Sequence, residues 1–154
     1  MKRIAVLLLC ALVAACSSGP VRRVSEPAAN IQQLTVRADG SWMIDLRIDN
    51  FSSVPMRFDA VALKLTVAGE DAGTLQGSPA LTIGPEAADV ASLTLVPSGA
   101  AKIVVADALA RGRGFDYALA GTLTAAPEDG RARAWDIDRD NALSPVPGLT
   151  GVLR

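Results

Sequence analysis

The sequence predicts an all-β domain, an antiparallel β-sandwich carrying one short helix. Three observations lead there. Apolar side chains recur at every second residue through most of the chain. Gly, Pro and Asp-Gly punctuation divides these runs at the length of strands. One stretch, residues 98–112, breaks the period of two and reads as a helix. Half of the 154 residues are apolar and only 4% are aromatic, so the expected core is aliphatic and the length suits one domain.

The N-terminus precedes that domain. Lys2 and Arg3 are followed by an apolar segment over residues 4–13 and by small residues before Cys16. This is the pattern of a secretory signal, and the segment is shorter than the ~20 residues that span a bilayer. Val13-Ala14-Ala15-Cys16 resembles the bacterial lipobox. The resemblance implies a lipoprotein signal peptide over residues 1–15, removed on maturation, and lipidation of Cys16, which becomes the first mature residue. Several acyl chains hold a protein durably where one holds it marginally. Ser17 in place of Asp resembles the pattern of lipoproteins sent to the outer membrane. The expected location is therefore the bacterial cell envelope, lipid-anchored at the outer membrane and facing the periplasm; the competing expectation is a secreted protein cut near Ala15, with Cys16 incidental.

Residues 16–30 mix Pro, Ser, charge and Ala without a period and read as the lipidated N-terminus and a flexible tether. From residue 17 to 30 such a chain spans roughly 20 Å root-mean-square. Arg22 and Arg23 lie within it as a solvated pair, the alternative being contact with anionic lipid. Cys10 leaves with the signal and Cys16 is capped, so no thiol is left to form a disulfide. Loss of Lys2 and Arg3 moves the formal charge from −1 to −3, and no basic excess favours nucleic acid.

The sandwich is expected over residues 31–154. Leu34 and Val36 alternate with polar neighbours, as do Trp42, Ile44, Leu46 and Ile48. The Asp39-Gly40 pair between them favours a tight hairpin, because Gly40 can take positive φ. Residues 50–56 form a loop. Phe58 then belongs to one alternation and Val61, Leu63, Leu65 and Val67 to the other, so a bulge is predicted near Asp59-Ala60. Residues 69–73 turn the chain, and strands follow at residues 73–75, 81–83 and 90–96. In the helix, Ser98 stands near the N-cap and Gly112 just past the end, although the Ile103-Val104-Val105 run suits helices less well. Phe115, Tyr117, Leu119, Gly121 and Leu123 return to period two, with Gly121 marking a bulge or a close backbone approach. A last strand is predicted at residues 132–137, ahead of a Pro- and Gly-rich tail that packs as an extended end.

The chain contains no histidine, so His-based triads, Cys-His dyads and His-ligated zinc are excluded. Thiol chemistry goes with the cysteines, and no glycine cluster resembles a phosphate loop. Carboxylates could still work as an acid and base pair. Asp45, Asp49, Asp59 and Asp116 fall on the polar alternation of strands, where a solvated face is the simpler account. Asp136, Asp138 and Asp140 spell the first half of a calcium loop, but Asn141 stands at the Gly position and Pro147 at the bidentate Glu position. They read as polar positions of the last strand running into a loop. Trp42 and Trp135 read as core or rim residues. No catalytic, metal or cofactor-binding residue is assigned.

The segments WMIDLRIDN, VALKLTVAGEDAG, TIGPEAADVASLTL and GFDYALAGTLTA together resemble the late embryogenesis abundant type-2 domain, also called the water-stress and hypersensitive-response domain, over residues 31–125. The resemblance implies an immunoglobulin/fibronectin-III-like β-sandwich and an association with desiccation and stress tolerance, and it brings no enzymatic activity. Asn50 would match the family's Asn-Pro element, where an amide satisfies loop backbone groups, with Phe51 replacing the Pro. The function expected is that of a non-enzymatic, membrane-anchored envelope lipoprotein, protective or interacting with an envelope protein. The alternatives are a lipid-binding or lipid-transfer module, as some domains of this type are thought to be, and a carboxylate hydrolase.

Overall fold

The computed structural model describes residues 22–154. In chain order its elements are β1 (Ala28–Val36), β2 (Trp42–Asn50), β3 (Met56–Val67), β4 (Glu70–Gly77), β5 (Leu81–Ile83), β6 (Ala87–Leu95), the helix α1 (Gly99–Arg111), β7 (Phe115–Pro127), β8 (Arg133–Leu143) and β9 (Val152–Leu153). One sheet has the order β6-β2-β1-β9. The other has the order β4-β3-β7-β8, with β5 paired to the start of β3. All pairings are antiparallel, and the two sheets make the predicted all-β sandwich.

Period-two sequence creates this fold because alternate side chains of each strand reach the space between the sheets. In β2, Trp42, Ile44, Leu46 and Ile48 are buried. In β3, Phe58 is buried on one side of the register shift, and Val61, Leu63, Leu65 and Val67 on the other. That shift, between Phe58 and Ala60, is the predicted bulge, and it keeps both runs facing inward. The interior is mostly aliphatic; Trp42 and Phe58 are its fully buried aromatics, and Tyr117, Phe115 and Trp135 join it nearer the edges. At Gly121 the approach to β3 is so close that a Cβ would meet the carbonyl of Ala62.

Four boundaries differ from the sequence reading. The first strand begins at Ala28, inside the segment read as tether, because Ala28 and Ala29 pair with Asp49 and Ile48 and are buried. The turn expected over residues 69–73 contracts to Ala68-Gly69, both with positive φ, which lets Glu70 pair directly with Val67. Residues 87–89 extend β6, because Ala87, Ala88 and Asp89 continue the ladder on β2. The last strand runs on to Leu143, since Asp138 to Ala142 pair with residues 116–120 of β7. It is an edge strand with polar residues outside, which a hydrophobic pattern cannot distinguish from a loop. The tail does pack as an extended end: Val152 and Leu153 pair with Thr35 and Leu34.

Candidate functional site

The sandwich has two ends of different character. At one, the chain enters at Arg22 and meets the loop between β2 and β3. Arg23 N–H donates to Ser53 Oγ at 2.8 Å, Ser53 N–H to Arg23 O at 2.9 Å, and Ser25 N–H to Ser52 Oγ at 3.0 Å. The loop is itself fixed by buried Asn50. Its Nδ2 lies 3.0 Å from Val54 O, 3.1 Å from Ile83 O and 2.8 Å from Gly84 O, while Oδ1 accepts from Ser52 N–H at 2.9 Å. Asn50 thus performs the role that the resemblance implied, with Phe51 in place of proline. Arg22 and Arg23 are solvated as expected, each with an acidic partner at the surface: Arg22 pairs with Asp129 at 2.9 Å and Arg23 with Glu86 at 3.4 Å.

The other end carries the β1–β2 hairpin and α1, and it holds the candidate site. Ser98 caps the helix, its Oγ accepting from Ala101 N–H at 3.2 Å and donating to Asp71 O at 2.6 Å. Gly112, in the left-handed region, ends it by donating to Ala108 O and Leu109 O. Ala101, Val105 and Ala108 close this end of the core. Ile103 is 72% exposed, and Ala100, Ala106 and Ala110 are exposed as well. Polar groups share this outward face: Lys102 and Arg111 are exposed, and Asp107 pairs with Arg111 at 2.7 Å and with Arg113 at 3.2 Å, so Ile103 and the three alanines form an apolar strip among charges.

Between α1 and the hairpin lies an apolar groove of about 200 Å³, lined by Val36, Trp42, Val105, Ala106 and Leu109, with Lys102 and Gly40 at its side. Lys102 crosses the hairpin where Gly40, φ 78°, has no side chain: a Cβ there would sit 3.4 Å from Lys102 Nζ. Lys102 forms no salt bridge among the described residues. Val36 and Leu109 also wall a neighbouring depression that runs past Arg37 to Val146 and Leu149. The hairpin wall is held by Asp39, which accepts from both Ser41 Oγ (2.6 Å) and Ser41 N–H (2.9 Å). Those two bonds, with Arg37 nearby, hold the Asp39 carboxyl below the usual carboxylate range.

Cys16, the predicted lipidation site, lies outside the described residues, as does Cys10. The flagged carboxylates are dispersed. Asp45 accepts from Ser92 Oγ at 2.6 Å, Asp49 pairs with Arg47 at 2.9 Å and Asp59 with Arg57 at 2.7 Å. Asp116 and Asp140 do line one shallow depression on the outer face of the β7–β8 pair, both exposed. Asp136, Asp138 and Asp140 alternate along extended β8, spaced about 7 Å apart rather than wrapped around a common point. Trp42 is in the core. Trp135 is buried at the rim beneath Arg133, whose guanidinium lies 3.3 Å from the ring centroid.

The groove escaped the sequence reading because its walls come from residues 36–42 and 102–109, which only the fold brings together. Its one signal was the Ile103-Val104-Val105 run in a helix with few charges.

No family model matches the chain, and no curated protein matches it. Solved structures do. A protein of Arabidopsis thaliana, determined in solution, is 13% identical with a TM-score of 0.51, the match covering 82% of each chain. A candidate late embryogenesis abundant (LEA) protein, also determined in solution, is 13% identical with a TM-score of 0.51, covering 94% of this chain and 84% of its own. At such identities the likeness is one of fold, and the chain has a LEA-like β-sandwich fold.

Proposed function

We propose that this is a non-enzymatic lipoprotein of the bacterial envelope, held by acyl chains on Cys16 at the periplasmic face of the outer membrane, whose sandwich serves as an interaction module with a protective role in desiccation or stress. The observation that supports this most is the opposition of the two ends. Residues 23 and 25 are bonded to Ser53 and Ser52, while exposed Ile103 of α1 and the groove beside that helix sit at the far end. The surface engagement of Asp45, Asp49 and Asp59 in a hydrogen bond or ion pairs, and the extended spacing of Asp136, Asp138 and Asp140, support a role without catalysis. A Cys16→Ala variant tests the anchor: it is expected in the soluble fraction, and retention in the membrane pellet contradicts the reading.

The groove favours a second reading, lipid binding. The groove of about 200 Å³ has apolar walls that suit a short stretch of acyl chain, and Lys102 offers one cation to an anionic head. Mass spectrometry of lipid retained after incubation with a fatty acid and gel filtration tests it. Retention by the parent protein and loss on Ala106→Trp supports binding; no retention by either contradicts it.

A further inference from the structure

The spacer between Cys16 and the folded body is far shorter than the composition suggests. Arg23 and Ser25 are bonded to the β2–β3 loop, Arg22 pairs with Asp129 and residues 28–30 belong to β1, so no more than residues 17–21 lie between Cys16 and the docked chain. Six residues' length, from Cys16 to Arg22, reaches at most about 20 Å fully extended and about 13 Å as a flexible chain. Acyl chains on Cys16 would hold this end of the sandwich within that distance of the lipid surface.

Two apolar side chains are uncovered at that end. Phe51 is 50% exposed and Val24 is 43% exposed. They lie on the two segments that the Arg23–Ser53 and Ser25–Ser52 bonds join, and Arg23 also donates to the Phe51 carbonyl at 3.1 Å. The loop's internal bonds come from Asn50 and Ser52, leaving the Phe51 ring free of any structural duty that these contacts reveal. The cations beside them are already matched, Arg22 by Asp129 and Arg23 by Glu86.

We propose that this end rests on the bilayer, with Phe51 and Val24 in the boundary between headgroups and acyl chains, so that the sandwich stands on the membrane and α1 points into the aqueous compartment. The inference rests on the acylation of Cys16. The proposed contact is apolar, and because Arg22 is balanced by Asp129 and Arg23 by Glu86, these four groups add no net charge that would make it depend on lipid charge or salt. A weak apolar contact suffices because the short spacer raises its effective concentration.

The test uses the full acylated protein in vesicles containing brominated phosphatidylcholine, with one tryptophan added at either end: Phe51→Trp or Ile103→Trp. Both native tryptophans are buried, and the parent protein supplies their background. A side chain in the boundary lies about 5–10 Å deep, whereas α1 lies about 26 Å farther along β2. Phe51→Trp fluorescence is expected to be quenched at least about threefold more than Ile103→Trp, equally with and without added phosphatidylglycerol. Equal quenching at both ends, quenching only with phosphatidylglycerol, or a Phe51→Trp shielded by crosslinkable dimers and not by lipid would overturn the orientation. The N-terminal mass separates the two claims. Acylated Cys16 with an unquenched Phe51→Trp removes only the orientation, whereas an unmodified Cys16 removes the anchor and the orientation with it.

Discussion

Asn50 shows how much of the end at which residues 23 and 25 dock depends on one side chain. Its amide reaches carbonyls of two loops, and its oxygen holds Ser52, which in turn holds Ser25. Asn50→Ala leaves these buried groups without partners and is expected to destabilise by about 2–4 kcal/mol, read from the urea midpoint; a loss below about 0.5 kcal/mol would show that water replaces the amide fully. Tyr117 does comparable work between the sheets, its hydroxyl accepting from the buried Ile31 N–H at 3.0 Å. Burial pushes the Tyr117 phenol above its ordinary value, partly offset by the Ile31 amide and the Asn141 side chain. Because the folded state favours the protonated phenol, this stability is fully present below about pH 10 and declines as pH rises through the folded value. Tyr117→Phe should cost about 1–2 kcal/mol at neutral pH and flatten the alkaline decline of Tm. An unchanged alkaline decline would assign it to other groups. The alternation placed Tyr117 inward, but its partner on β1 lay 86 residues away and could not be read from the chain.

Among the elements, those with local causes were legible in the sequence. The Asp39-Gly40 turn, the bulge at residues 58–60, the Ser98 cap and the Gly112 stop each depend on residues within a few positions of one another. The second half of β8 was not legible. Asp138, Arg139, Asp140 and Asn141 become strand only because β7 presents an unpaired edge to them. The docking of residues 22–25 was hidden for the same reason, its partners being 27 to 30 residues distant. Gly121 joins the two kinds: its place in a strand announced a close approach, and the approach is to Ala62 and Leu63 of β3. Gly121→Ala is expected to cost about 3 kcal/mol or more by displacing β7 from β3, measured as a fall in Tm. A variant as stable as the parent would mean that the two strands can separate freely at this point.

On the scale of the whole molecule, the fold class followed from periodicity because a sandwich is the general solution for strands that each bury one face. The asymmetry of its ends did not follow. One end is tied by the bonds of residues 23 and 25 to the β2–β3 loop and exposes Phe51 and Val24; the other is closed by α1, which exposes Ile103 between Lys102 and the Asp107–Arg111 pair. With acyl chains on Cys16, this asymmetry becomes a direction, from the membrane outwards. The candidate groove then opens to the compartment, where a partner or ligand can reach it. All of this depends on the modification of one thiol. Intact-mass analysis of the N-terminal peptide from membrane-extracted protein measures it directly. The account predicts a peptide that starts at Cys16 and carries acyl chains; a peptide that starts at Met1, or an unmodified Cys16, would contradict it.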